Sequence, residues 1–149
     1  MQSNEVLTFP AGKTLGIVEK YSIHACPNSK GFNHKDVNYL ALRKSDGGAM
    51  NRIYLIEEII VFNPIMNSWS KNYMSKHYCQ RLLSYVQDRE RVLPFGSEDY
   101  KFYILSVSED LPHSPRPQIN NTAKMYFTRQ ELLDGKEILS PRPVAHSPE

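Results

Sequence analysis

The sequence predicts an α+β domain, rich in β-structure, with a mixed or antiparallel sheet and peripheral helices. Three observations predict it. Residues 38–64 read as two extended arms around Asp46-Gly47-Gly48. The run Tyr100–Val107 is apolar on both faces. Thr128-Arg129-Gln130-Glu131 follows the apolar stretch 123–127 with the signature of a helix start.

In the first arm, Asn38 to Lys44, Tyr39, Ala41 and Arg43 alternate with Leu40 and Leu42. The second arm, Arg52 to Phe62, carries Ile53, Tyr54, Ile56, Ile59, Ile60, Val61 and Phe62, which favour a pleated strand. Gly47 and Gly48 supply positive φ angles, and the length of the connection implies a loop longer than a two-residue turn. Asn63-Pro64 stops the second arm, because proline has no N–H for the ladder. Glu57 and Glu58 favour the rival reading of 52–62 as a buried helix; the β-branched residues and the Pro stop outweigh them.

Residues 1–13 read as an irregular lead-in, 14–24 as a strand or short helix, and 25–37 as a polar loop. Residues 65–69 connect to Trp69. From Ser70 to Arg91, Tyr73, His77 or Tyr78, Leu82, Tyr85 and Val86 recur at helical spacing. Lys71, Lys76, Arg81, Arg89 and Arg91 make that stretch basic, which reads first as a solvated helix face and second as a binding stripe. Residues 108–121 hold three prolines and no periodicity, so they form a long loop. Leu132 and Leu133 anchor the last helix and Gly135 ends it. Residues 1–139 make one domain, followed by a flexible tail, 140–149.

The 149 residues carry a formal charge of +2, too little for a polybasic coat. Cys26 and Cys79 form no CxxC pair, and two reduced thiols suit a cytoplasmic protein. The first residues lack the apolar core of a signal peptide, and no run approaches a membrane helix.

Catalytic signatures are absent. Gly12-Lys13-Thr14 would end a phosphate-binding loop, but Leu7 stands where its first glycine belongs. The five histidines fit no HExxH pattern and no zinc-deaminase pattern. Glu57 and Glu58 would point to opposite faces of a strand, and His77 and Cys79 diverge on a helix. No metal or cofactor is expected. The better-founded stretch is 108–121. His113, Arg116, Gln118, Asn120 and Asn121 sit there as donors and acceptors on a proline-stiffened loop, and Arg116 suits a phosphate or a guanine edge. A surface crossover shielding a sheet edge would carry the same residues. Tyr39, Tyr54, Trp69, Tyr73 and Tyr126 are core candidates, of which one or two suit stacking on a flat ligand.

Three stretches, YLALRKSDGGAMNRIYLIEEIIVFNP, DYKFYILSVSEDLPHSPRPQ and KMYFTRQELLDG, together resemble the PUA-like superfamily, and within it the EVE, ASCH and YTH-type domains. They cover somewhat under half of the chain and match in order and shape. The resemblance implies a small, partly open β pseudo-barrel with helices outside. It also implies a nucleic-acid ligand, DNA or RNA, with a modified or flipped base as the thing read. The ASCH-type GxKxxExR signature is missing, and no three-aromatic cage of the YTH kind aligns. The expected pocket residues are Arg116, Trp69 and Tyr126, with His113 and Asn120 beside them and Lys71, Lys76 and Arg81 on phosphates. One alternative is a protein-interaction module or regulatory subunit of a larger defence or processing complex, pairing through edges beside 38–44 or 122–127. Another is a nucleotide-acting hydrolase with His113 or His34 as general base.

Overall fold

The computed structural model describes residues 4–28, 37–66, 68–120 and 125–140. In chain order the elements are β1 (Glu5–Pro10), α1 (Leu15–Tyr21), β2 (Ile23–Pro27), β3 (Tyr39–Arg43), β4 (Arg52–Phe62), α2 (Cys79–Val92), β5 (Tyr100–Asp110), β6 (Arg116–Pro117), β7 (Met125–Thr128), α3 (Arg129–Leu133) and β8 (Ile138–Leu139). Short 3-10 helices cover Gly12–Thr14 and Trp69–Tyr73. The residues group into two compact units. Unit 1 is Met1–Gly12, Lys35–Ile56 and Ser106–Glu149; unit 2 is Lys13–His34 and Glu57–Leu105. The sequence reading treats the same span as one domain.

In unit 1, β1 lies parallel to β3, with Val6 opposite Tyr39 and Phe9 opposite Leu42. It lies antiparallel to β7, with Leu7 opposite Tyr126. Strand β3 pairs antiparallel with β4, Leu40 opposite Tyr54. One face packs Val6, Ala41, Ile53, Met125 and Phe127 against Met50, Leu111, Leu132 and Leu139. On the alternate positions Leu7, Leu40, Leu42, Tyr54 and Tyr126 are buried too. With both faces covered, the strands show apolar runs rather than alternation.

In unit 2, β2 pairs antiparallel with β5, Ile23 opposite Ile104 and Ala25 opposite Phe102. These side chains pack with Ile60 and Phe62 of β4 and with Leu82 and Tyr85 of α2. Leu82, Tyr85 and Arg89, three and four apart, form the buried stripe of that helix. Phe62 stacks between Phe102 at 4.1 Å and Trp69 at 4.4 Å.

Strands β4 and β5 run through both units. Asn51 O accepts from Leu111 N at 2.8 Å. Asn63 Nδ2 donates to Ser97 O at 2.9 Å. The two strands are therefore antiparallel. The six-stranded order is β2-β5-β4-β3-β1-β7, and β6 with β8 makes a separate two-stranded parallel sheet. The α+β class stands. The large sheet is open, with β2 and β7 outermost, so the half-closed cylinder expected from the sequence is not what the strand pairing gives.

Several expectations need correction. The lead-in 1–13 contains β1, a strand buried on both faces. Residues 14–24 hold a helix and then a strand, separated by Ser22 at φ 54°. The helix expected over 70–91 is a 3-10 turn followed by α2 from Cys79. Between them, Lys76 N bonds Tyr73 O and Cys79 N bonds Lys76 O, both at 3.0 Å, so three-residue turns replace α-helical ones. Strand β5 continues to Asp110, three residues past its expected end. Residues 38–44 are no edge, because β3 lies between β4 and β1.

Candidate functional site

The glycine turn and the proline loop, singled out separately in the sequence, meet in unit 1. Gly47 and Gly48 have φ of 88° and 84°, a left-handed conformation that L side chains resist. Lys44 N bonds Ala49 O, and Gly48 N bonds Lys44 O, closing the turn. Met50 N then donates to Pro115 O at 2.8 Å, tying the turn to the loop.

The loop is pinned along its length. Ser114 N bonds Leu111 O at 3.0 Å. Arg116 N donates to Glu137 O and Gln118 N to Leu139 O, at 2.8 and 2.7 Å. Only alternate residues face β8, so prolines at 115 and 117 remove no bond from that ladder. Both prolines are buried, while Arg116 and Gln118 are exposed. The Arg116 side chain has no hydrogen bond or ion pair with the described residues.

Beneath the loop lies Arg43, at the end of β3 and 0 % exposed. Its Nε donates to Thr8 Oγ1 at 3.0 Å and its Nη2 to Thr8 O at 3.4 Å. Its Nη1 donates to Asn120 Oδ1 at 3.0 Å. Burial lowers the guanidinium to about 10, which leaves it charged at neutral pH. Asn120 Nδ2 reaches only Lys44 O, at 3.5 Å. Gly48 makes room for this: a Cβ there would stand 2.8 Å from the Asn120 side chain.

The expected site residues divide between the units. In unit 1, His113, Arg116 and Asn120 share the loop. Tyr126 is buried in β7 and cannot present a ring to a ligand. His113 Nε2 lies 2.8 Å from Leu132 O; a carbonyl only accepts, so that nitrogen carries the proton and is occupied. In unit 2, Trp69 is half-buried against Phe62. Lys71 is exposed on the same 3-10 helix, and Lys76 pairs with Glu58 at 3.6 Å. Arg81 is no phosphate ligand: its Nη1 donates to the carbonyls of Tyr21, Ser22 and Leu105. His34 and Asn121 lie outside the described residues. Among the described residues no three His, Cys, Asp or Glu side chains are grouped to hold a metal ion. No described helix is long and apolar enough to cross a membrane.

Sequence reasoning passed over Arg43 and Thr8. The signal was a lone charge ending the apolar run YLALR, directly before the glycine turn. A search of family models, of curated proteins and of solved structures finds no match to this chain.

Proposed function

We propose that the chain is a nucleic-acid-binding protein whose contact surface is the 113–120 loop of unit 1. The observation that supports this best is Arg116, an exposed guanidinium without an ion partner among the described residues, on a backbone held by β8. A fixed backbone lowers the cost of ordering the side chain on a phosphate or a base edge. The PUA-like resemblance belongs to the same reading and adds an extruded or modified base as the ligand. The two free thiols, Cys26 and Cys79, suit a cytoplasmic setting.

The test is a fluorescence-anisotropy titration of labelled single-stranded DNA and RNA. Affinity falls steeply with added salt, and Arg116→Ala weakens binding and flattens that slope by about one phosphate contact. Absence of binding to any oligonucleotide at low salt refutes the reading.

One observation favours a second reading, a protein-interaction module. Within unit 2, Ile59 and Val61 on one side of β4 are each 43 % exposed, large apolar side chains facing water. A stable protein complex formed without nucleic acid, and lost in the double substitution Ile59→Ser and Val61→Ser, would favour it.

A further inference from the structure

Building on the nucleic-acid reading, we propose that Asn120 makes the site selective for a ligand edge carrying only hydrogen-bond acceptors, which among adenine and guanine is the N7/O6 edge of guanine. The argument begins with Arg43. A guanidinium is a donor at every nitrogen and accepts nowhere. Arg43 is immobilised, because Nε and Nη2 are both committed to Thr8. The Asn120 atom 3.0 Å from Nη1 must therefore be the amide oxygen, and an amide flip is ruled out by chemistry. Gly48 and Pro117 wall the same amide, so it has no alternative rotamer nearby.

With Oδ1 turned inward, the amide's two N–H donors are what remain. Their one described partner is Lys44 O at 3.5 Å, the outer limit of a hydrogen bond. Asparagine normally reads adenine by offering one donor and one acceptor together, to N7 and N6. Asn120 has no acceptor left to offer. Adenine would set its N6 donor against a donor, whereas guanine offers O6 and N7, both acceptors. Arg116, on the same loop, is also donor-only. The buried cation thus sets specificity through Asn120 without touching the ligand.

Phosphate oxygens are acceptors as well, so the test separates the two sources. Short labelled strands carry dG, dA, 7-deaza-dG or no base at one central position between abasic flanks. The wild-type protein binds the dG strand about ten-fold more tightly than the dA strand. Removing N7 or the base lowers affinity towards the dA value. Asn120→Asp keeps an oxygen for Arg43 and turns a second oxygen outward, so the fold and melting temperature hold while the dG preference disappears. Equal binding of dG and dA strands, an abasic strand bound as tightly as dG, or a preference that Asn120→Asp retains overturns this inference alone. Failure of every strand to bind overturns the nucleic-acid reading with it.

Discussion

Gly48 and Asn120 compete for one small space. A Cβ on Gly48 would lie 2.8 Å from both Cγ and Oδ1 of Asn120, and 3.0 Å from Cδ of Pro117. No real Cβ contact is so close, and φ of 84° already disfavours a side chain. Gly47 has φ of 88°, but a Cβ there would meet nothing within 4 Å. Gly48→Ala therefore costs roughly 2–5 kcal/mol, the sum of left-handed strain and overpacking, while Gly47→Ala costs about 1–2 kcal/mol. Urea denaturation of the two variants checks this; equal destabilisation would mean that the loop moves aside freely.

Arg81 is a structural tie at the end of α1. Its Nη1 donates to Tyr21 O at 3.0 Å, Ser22 O at 3.3 Å and Leu105 O at 3.1 Å. Helix-terminal carbonyls lack intrahelical donors, and a cation satisfies them well. Arg81→Ala loses about 2 kcal/mol, in the range of charge-assisted bonds. The measurement is again chemical denaturation. Oligonucleotide affinity of the folded variant is unchanged, which separates Arg81 from a phosphate ligand.

What was legible in the sequence follows from local rules. The 52–62 strand was visible because β-branched residues and a Pro stop act locally, and it ends at Phe62 as expected. The Thr128 box was visible because capping is a four-residue event. Strand β1 was hidden because a strand buried on both faces shows no alternation. Arg81 read as part of a basic stripe because the carbonyls it ties are remote in sequence. The site was half legible. The glycine turn and the proline loop each announced themselves, but their meeting depends on Met50 and Pro115, 65 residues apart by their numbering. Trp69 and Tyr126 were chosen for their ring chemistry, and burial decided their role instead.

The start of α3 gives a contained test. Thr128 Oγ1 accepts from Glu131 N at 3.1 Å, and Glu131 Oε1 accepts from Thr128 N at 2.7 Å. Thr128→Ala removes half of this reciprocal cap and costs about 1 kcal/mol; Thr128→Ser retains it. The comparison of the two melting temperatures is the check. Since α3 carries Leu132 into the core of unit 1, the loss appears in the cooperative transition rather than as local fraying.

Alkaline pH should unfold the protein through its buried phenols. Tyr85, 0 % exposed, is pushed up to about 12, chiefly by burial, with Arg89 pulling weakly the other way. Tyr78 is raised to about 12 as well, by burial and by the Glu58 carboxylate beside it. An unfolded tyrosine titrates near 10, so between about pH 10 and 12 the unfolded chain has released protons that the folded chain still holds. Stability from these groups is complete below pH 10 and is lost as pH rises towards 12. Tyrosinate absorbance on base titration then shows a late fraction that ionises together with the loss of folded-state circular dichroism. Tyr85→Phe removes one of the two groups, so its stability declines less steeply over that window than the wild type. Identical slopes would mean that the Tyr85 hydroxyl reaches water in the folded state.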